Sequence, residues 1–402
     1  MLGESATTSR FEALRSGRTP LVGRDEEIEL LLRRWAQTTT GDGRVVLISG
    51  EPGIGKSRLT AALFEHIGTE PHTRLRYFCS QHHQDSALYP VIVQLERAAG
   101  FARDDTDAAR LGKLKTLLAP GTSNDDYFAL LTELLSLPSS AAELSLSPQR
   151  KREMLFGAVL RQLEAEARRR PVLMVFEDTH WIDPTSRELL NLTVDRIRRL
   201  PVLLVITFRP EFQPPWGGRS HVTRLALNQL GERDAEALVK TLAGNAALSP
   251  DIVAEIVERT DGVPLFVEEL TKAMLEARAE RGREIAASVP STRLGVPATL
   301  QASLMARLDR LGAAAKGVAQ IGAAIGRGFS YELAAAVGAS SEETLREALQ
   351  RLVDAGLVFQ RGAPPIAECL FKHALVQDTA YGTLLRRTRQ QLHARIAEAL
   401  ET

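Results

Sequence analysis

The sequence predicts an α/β fold, in which a parallel sheet is followed by a helical region and then by a small unit of helices with a hairpin. Three observations lead to this prediction. Short, continuous apolar runs alternate with helical stretches through the first half of the chain, as in a buried parallel sheet. From Gly231 onward the pattern is helical, and two short apolar runs near the end can pair as a hairpin. The length of 402 residues also exceeds what one compact core usually holds.

The elements of the first half can be predicted in order. A helix is expected after Asp25, because acidic residues there precede apolar ones spaced along one helix face: Ile28, Leu31, Leu32 and Trp35. Buried strands are expected at residues 45–48, 75–79, 172–176 and 202–207, with a fifth at 223–227. Residues 104–147 are expected to form a helical insertion, to which we assign no chemistry.

The second half is expected to contain two further domains. Charged and then small residues lead up to Pro290, which places a boundary near that residue. Beyond it, residues 300–311 and 341–355 are expected to form helices, and residues 356–359 to pair with 369–371, which is the arrangement of a winged helix. The predicted domains are a linker (1–20), an α/β domain (21–228), a helical lid domain (229–290) and a winged-helix-like domain (291–402).

Composition limits the possible partners and compartment. The 50 Lys and Arg residues equal the 50 Asp and Glu residues, so the chain has no overall charge to attract nucleic acid or an anionic membrane. No apolar stretch approaches the ~20 residues needed to span a bilayer. Cys79 and Cys369 are far apart in apolar settings, which indicates buried thiols in a reducing compartment. We therefore expect a soluble, cytoplasmic protein without nucleic-acid or membrane partners.

A glycine-rich segment directly after the first predicted strand matches the P-loop pattern, and the helix expected from Lys56 to Phe64 follows it. Its glycines allow the backbone N–H groups to curl around phosphates. Lys56 supplies a positive charge for the β- and γ-phosphates, and the Ser57 hydroxyl suits Mg²⁺. The predicted ligands are ATP or ADP with Mg²⁺. The residues predicted to bind nucleotide here are Gly50, Glu51, Pro52, Gly53, Ile54, Gly55, Lys56, Ser57 and Arg58.

Two acids and an arginine end neighbouring predicted strands. Glu177 and Asp178 follow the strand at 172–176, where a P-loop protein needs acids for its metal and its attacking water. We expect Glu177 to join Ser57 as a metal ligand and Asp178 to orient the water. The order with Glu first departs from the commoner Asp-first form and leaves this division of roles open. Arg209 follows the strand at 202–207, from which it can reach a γ-phosphate.

Four motifs resemble those of the signal-transduction ATPases called the STAND class. They are also similar to the predicted ATPase modules of bacterial adenylate and guanylate cyclases and of large LuxR-type regulators. The motifs are Glu177-Asp178-Thr179-His180-Trp181-Ile182-Asp183-Pro184, Leu21-Val22-Gly23-Arg24-Asp25-Glu26-Glu27, Gly262-Val263-Pro264 and Phe371-Lys372-His373-Ala374-Leu375-Val376-Gln377-Asp378. The resemblance implies a P-loop NTPase fold and adds five nucleotide-binding residues: Val22, Gly23, Arg24, Pro264 and His373.

In that class, the segment with Val22 lies against the adenine, Pro264 contacts the base, and His373 contacts the β-phosphate of ADP. This chain has Ala374 where many relatives carry Asp, so the contact at His373 is expected to be weaker or differently built. The resemblance implies slow ATP hydrolysis and an ADP/ATP switch, with self-association or a protein partner in the ATP state. Residues 1–20 resemble a connector that follows a cyclase domain, which implies the central part of a larger regulator or nucleotide cyclase.

Two other functions are compatible with parts of the sequence. A metabolic P-loop kinase would also need an acceptor pocket and an arginine-rich lid, and the sequence indicates neither. A DNA-binding winged helix would use Arg386, Arg387, Arg389 and Arg395 on phosphates. Helices with several arginines are usually solvated faces, and the neutral overall charge favours that interpretation.

Overall fold

The structure is a computed structural model that describes residues 21–402, except 69, 103–104, 119–124, 140–144, 245, 247, 285–299, 339–340, 373 and 402. The described residues form two compact units. The first is Gly23–Asn228, and the second runs from Gln229 onward and includes residues 21–22. The predicted boundary at Pro290 and the linker at 1–20 lie outside the described residues.

A five-stranded parallel sheet forms the centre of the first unit. Its strands are β1 (Arg44–Ser49), β2 (Thr73–Phe78), β3 (Val172–Glu177), β4 (Val202–Phe208) and β5 (Val222–Ala226). Their order in space is β2-β3-β4-β1-β5, and every pair is parallel. Each residue of β3 and β4 is buried, which explains why their sequences are continuous apolar runs. The α/β fold predicted from the sequence is confirmed.

The sheet brings the candidate site residues to one edge. Strands β3, β4 and β1 are neighbours, and Ser49 at the end of β1 pairs with Phe208 at the end of β4. All strands point the same way, so the segments that follow these three strands leave the sheet at its carboxyl edge. That is the edge at which open parallel sheets bind ligands.

Helices cover both faces of the sheet. In the described residues they are α1 (Asp25–Thr39), α2 (Lys56–Ile67), α3 (Tyr89–Ala99), α4 (Asp107–Leu118), α5 (Asp125–Leu134), α6 (Pro148–Arg169) and α7 (Pro184–Arg196). Helices α4 and α5 belong to the insertion expected at 104–147. They have a small core of their own with α6, formed by Leu114, Leu118, Leu131 and Ala158.

The second unit begins with a group of three helices. These are α8 (Glu232–Ala243), α9 (Pro250–Thr260) and α10 (Pro264–Glu284). Their apolar faces pack together around buried Leu238, Ile256 and Val267. Between α9 and α10 the chain turns through Gly262 at φ 65°, where an added Cβ would meet the Leu230 carbonyl oxygen at 2.2 Å. Only glycine fits this turn.

The remainder of the second unit combines helices with a three-stranded antiparallel sheet of order β6-β8-β7. Its helices are α11 (Leu300–Arg310), α12 (Ala313–Ile325), α13 (Tyr331–Val337), α14 (Glu342–Asp354), α15 (Ala374–Gly382) and α16 (Arg386–Glu401). Its strands are β6 (Gly328–Ser330), β7 (Val358–Arg361) and β8 (Glu368–Phe371). The pairing of β7 with β8 is the hairpin predicted at 356–371, whereas β6 was not predicted.

Buried ion pairs connect α10 to the later part of the second unit. Arg307 of α11 pairs with Glu269 and, at 2.8 Å, with Glu276, and it donates to the carbonyl oxygen of Ala355 at 2.6 Å. Lys372, just after β8, pairs with Glu268. Because buried charges are costly without partners, these contacts define how the elements within this unit pack.

Candidate functional site

The P-loop segment connects β1 to α2 and depends on its glycines. Gly53 and Gly55 have φ of 82° and 103°, a backbone conformation that favours glycine. Gly50 has the opposite constraint, because a Cβ there would lie 2.7 Å from Ile54 Cγ2 and 3.1 Å from the Leu227 carbonyl oxygen. Helix α2 begins at Lys56, with Gly55 as its N-terminal cap. The first N–H groups of α2 therefore point toward the loop, which suits an anion.

Lys56 lies across this loop. Its Nζ donates to the carbonyl oxygens of Gly50 at 2.5 Å and of Glu51 at 3.0 Å. Burial lowers the pKa of Lys56, the carboxylate of Asp178 opposes that change, and the guanidinium of Arg209 adds to it. Asp178 and Arg209 therefore affect Lys56 through their charges. Among the described residues, the hydrogen bonds of this buried ammonium go to carbonyl oxygens, which suits it to binding an anion.

Ser57 and Glu177 come together at the carboxyl edge of the sheet. The Ser57 hydroxyl donates to Glu177 Oε2 at 3.1 Å, although the two residues are 120 positions apart. A hydroxyl and a carboxylate are oxygen ligands of the type that Mg²⁺ takes together with nucleotide phosphates. The donor set therefore fits the metal expected from the sequence. The assignment of both residues as metal ligands remains a prediction.

Arg76 is a site residue that the sequence did not indicate. It belongs to β2, is buried, and forms an ion pair with Glu177 Oε1. Its guanidinium also lies over the rings of Phe64 and Phe78, at 5.2 and 5.0 Å from their centroids. Glu177 thus uses one oxygen for Ser57 and the other for Arg76, so that its carboxylate is held in one orientation.

Asp178 has an unusual backbone that β4 holds in place. Its φ is 56°, in the left-handed region, and its N–H donates to Thr207 Oγ1 at 3.1 Å. The adjacent Thr179 hydroxyl donates to the Thr207 carbonyl oxygen at 2.7 Å. These bonds tie the turn after β3 to the end of β4. Residues other than glycine adopt this conformation rarely, and those that do are often found at functional sites.

Arg209 and the next turn of the motif form an aromatic cluster. The Arg209 guanidinium carbon lies 4.9 Å from the ring centroid of Trp181, and the His180 ring lies 4.3 Å from Trp181. Farther along, Asp183 caps α7 by accepting from the Ser186 N–H at 2.9 Å. Neither His180 nor Trp181 was predicted to act at the site, although both lie within the motif that carries the resemblance.

The segment before α1 contacts the P-loop through Arg24. This buried guanidinium pairs with Glu27 at 2.8 Å and donates to the carbonyl oxygens of Ile54 at 3.4 Å and Asn228 at 2.5 Å. It joins α1, the P-loop and the end of the first unit. Gly23 precedes it at φ 64°. The predicted adenine contact at these residues stays a prediction.

Other predicted site residues lie elsewhere. Arg58 pairs with Glu65 at 3.4 Å on α2. Val22 packs in the second unit against the core of α8–α10, and Pro264 begins α10. His373 lies outside the described residues. The nucleotide contacts predicted for all four residues remain untested.

Comparisons with known proteins agree with this geometry. Residues 20–206 match the family described as AAA ATPase domain. These residues therefore resemble an AAA ATPase domain. It is 30% identical over 402 residues to an uncharacterized protein of Rhizobium meliloti (strain 1021), covering 99% of this chain and 39% of that protein. The chain therefore spans about two fifths of the length of that relative.

Solved structures agree with the fold. A crystal structure of a Signal Transduction ATPase with Numerous Domains (STAND) protein with a tetratricopeptide repeat sensor, from Pyrococcus horikoshii, matches 95% of this chain and 45% of its own. The TM-score is 0.52 at 16% identity. The chain thus has the fold of a STAND-class P-loop ATPase, as the resemblance in the sequence implied. A structure of Drosophila ORC bound to DNA matches all of this chain and 94% of its own at a TM-score of 0.41 and 11% identity, which is too low to carry an argument.

The match to an ATPase domain supports nucleotide binding. The P-loop, Lys56 and the Ser57–Glu177 pair are the part of the chain with the matching chemistry. Both Cys79 and Cys369 are buried free thiols, as predicted. Within the described residues, every helix is too short or too polar to cross a bilayer.

Proposed function

We propose that this chain is a regulatory ATPase that binds ATP with Mg²⁺, hydrolyses it slowly, and uses ADP and ATP as the two states of a signalling switch. The observation that carries the proposal is the hydrogen bond between Ser57 and Glu177 beside Lys56. It joins the P-loop after β1 to the acid at the end of β3. A P-loop site for a nucleoside triphosphate requires this meeting of a hydroxyl, an acid and a lysine.

Binding is assigned to the loop and its partners. The backbone N–H groups of residues 50–58, apart from Pro52, surround the phosphates, and Lys56 exchanges its two carbonyl partners for phosphate oxygens. Ser57 and Glu177 hold Mg²⁺, which supplies positive charge at the phosphates when it is bound. Arg76 keeps the Glu177 carboxylate oriented toward Ser57. Arg24 supports the loop through the Ile54 carbonyl oxygen.

Hydrolysis is assigned to Asp178 and Arg209. Glu177 is assigned to the metal, and Asp178 is therefore proposed as the acid that orients the attacking water. Arg209 stabilises the negative charge that develops on the terminal phosphate. The influence of both side chains on the pKa of Lys56 supports their proximity to the phosphate site.

The switch couples the bound nucleotide to the conformation of the chain. A change of state requires contacts that differ between ADP and ATP. Val22, Pro264 and His373 are proposed to contact ADP, with His373 on its β-phosphate, and the ATP state is proposed to favour self-association or a protein partner. Action within a larger regulator or a nucleotide cyclase is part of the same proposal.

The nucleotide that co-purifies with the protein tests the proposal first. Acid extraction followed by chromatography should recover ADP from protein purified without added nucleotide. Calorimetry on the stripped protein should then show binding of both ADP and ATP in the presence of Mg²⁺. An empty site at purification together with no measurable affinity for either nucleotide would refute the ATPase assignment.

The switch needs a separate experiment. His373→Ala should weaken the binding of ADP more than that of ATP, by about 1–3 kcal/mol for one lost charge-assisted hydrogen bond. Small-angle scattering should show different radii of gyration for the parent protein in ADP and in ATP. Unchanged ADP affinity in the variant, with one radius in both nucleotides, would leave an ATPase without a switch.

A further inference from the structure

His180 follows the two acids at the end of β3 and has an unusual environment. Both ring nitrogens are out of contact with solvent, and neither has a hydrogen-bond partner among the described residues. The ring stacks at a tilt against Trp181, with 4.3 Å between centroids. Buried polar atoms are nearly always hydrogen-bonded, and unsatisfied ones call for a specific explanation such as a ligand.

The charges around the ring indicate which ligand fits. Burial lowers the pKa of His180 to about 4, and the positive charges of Arg209 and Lys56 contribute to this, whereas Glu211 opposes it. The imidazole is therefore neutral at pH 7 and lies near two cations. A neutral imidazole still has one N–H to donate, and an anion placed near Arg209 and Lys56 would provide the acceptor.

The position of the ring in the fold identifies the part of the nucleotide. In a P-loop site the loop itself surrounds the inner phosphates, and Lys56 reaches the β- and γ-phosphates. Residues that follow the neighbouring strands, such as Asp178 after β3 and Arg209 after β4, reach the terminal phosphate. His180 belongs to this second group, because the hydrogen bonds of Asp178 and Thr179 to Thr207 hold its turn against the end of β4.

Packing alone does not account for a histidine here. A phenylalanine would stack on Trp181 equally well and would bury no nitrogen. The structure therefore favours a role that uses the ring nitrogens. We propose that His180 donates a hydrogen bond to the γ-phosphate of ATP and so makes this site discriminate ATP from ADP. This inference rests on the proposed function and adds a specificity-determining residue to the same site.

The test compares the binding of two nucleotides in two variants of His180. His180→Phe keeps the aromatic contact with Trp181 and removes both nitrogens, and His180→Gln restores an N–H donor. Calorimetry with a non-hydrolysable ATP analogue and with ADP, in excess Mg²⁺, gives both affinities. We expect His180→Phe to lose about tenfold or more in affinity for the ATP analogue while ADP stays within about twofold, since one hydrogen bond to a charged phosphate is removed. His180→Gln should recover part of the loss.

A matched control is available at the opposite edge of the sheet. His72 precedes β2 and contacts the ring of Trp35 edge-on, at 5.5 Å between centroids. His72→Phe should leave both affinities unchanged. If His180→Phe lowers the affinities for both nucleotides equally, or lowers neither affinity, the proposal is wrong. If His180→Phe does not fold, His180→Gln and a further variant, His180→Ala, decide the matter. The proposal is wrong if His180→Gln loses affinity for both nucleotides to the same extent, or if His180→Ala loses no affinity for the ATP analogue.

The proposed function fails on a different result. If the parent protein binds neither nucleotide, no ATPase site exists. Suppose instead that the parent protein binds both nucleotides, that Lys56→Ala abolishes the binding of both, and that His180→Phe leaves both affinities unchanged. The ATPase assignment then stands, and only the role of His180 is refuted.

Discussion

The guanidinium of Arg209 lies over the indole ring of Trp181, with 4.9 Å between its central carbon and the ring centroid. A cation in this position is attracted to the face of the ring by about 0.5–2 kcal/mol. This attraction to Trp181 therefore holds the arginine side chain in place. The terminal phosphate proposed to bind Arg209 would compete for the same guanidinium, so ATP is expected to change the surroundings of the indole.

Tryptophan fluorescence can report this change. The chain has three tryptophans, and Trp35 and Trp216 are both buried. ATP should alter the emission of the parent protein more than ADP does, and Trp181→Phe should remove the ATP-specific part. Trp35→Phe serves as the control and should retain it. A full ATP response in Trp181→Phe would contradict the link between Arg209 and the terminal phosphate.

Replacing Lys56 by Ala should remove most nucleotide affinity. The P-loop then loses its own cation for the phosphates, at an expected cost of about 2–4 kcal/mol in binding free energy. Lys240→Ala is a suitable control, since Lys240 forms an exposed pair with Glu236 in the second unit. Calorimetric titration of both variants with ATP decides the outcome. Parent-like binding by Lys56→Ala would show that the loop is not the nucleotide site.

Changing Asp178 to Asn should slow ATP hydrolysis far more than it weakens ATP binding. The amide has the same shape as the carboxylate but cannot polarise the attacking water or accept its proton. Asparagine also tolerates the left-handed backbone at φ 56°, so the turn should be kept. Phosphate release and ATP affinity are measured on the same preparation, with Asp195→Asn as a surface control. Equal hydrolysis rates in parent and variant would move the catalytic role away from Asp178.

Replacing Arg307 by Met should destabilise the second unit. Arg307 and Glu269 are 2% and 1% exposed, and removing one partner of such a buried pair typically costs about 3–5 kcal/mol. Urea denaturation, followed by circular dichroism, should show the loss. Arg346→Met is the control, because its pair with Glu342 is 61% and 66% exposed and should contribute less than about 1 kcal/mol. Similar stability losses in both variants would show that the Arg307 pair has no special role.

Strands β1, β3 and β4 of the parallel sheet could be predicted because burial on both faces requires continuous apolar runs. The observed β3 and β4 differ from the predicted ranges by only one residue at the carboxyl end. The strand order β2-β3-β4-β1-β5 has no local signal, since it depends on pairing between distant segments. Strand β6 has three residues and is defined only by its pairing with β8. A segment so short has no periodicity to recognise.

Some residues of the candidate site could likewise be predicted from the sequence, and others could not. The P-loop and the two acids could be found because their chemistry requires particular residues at short spacings. Arg76 could not, because the alternation of arginine and apolar residues in β2 is typical of a strand with one solvated face, and its partner Glu177 lies 101 positions away. A single histidine such as His180 has no pattern at all. Its role becomes visible only through its neighbours in space.

The bond between Ser57 and Glu177 also has a consequence for how the chain folds. Strand β4 lies between β3, which ends at Glu177, and β1, which precedes the loop to Ser57. The bond therefore forms only after segments as far apart as residues 44 and 208 have aligned. Contacts of such long sequence separation form late and slowly. A ligand that binds only the finished arrangement pulls the folding equilibrium toward it by mass action. Nucleotide in the cell is then expected to bind each chain once its sheet is complete and to stabilise the folded state. Partly folded chains are expected to bind nucleotide too weakly to be stabilised in this way.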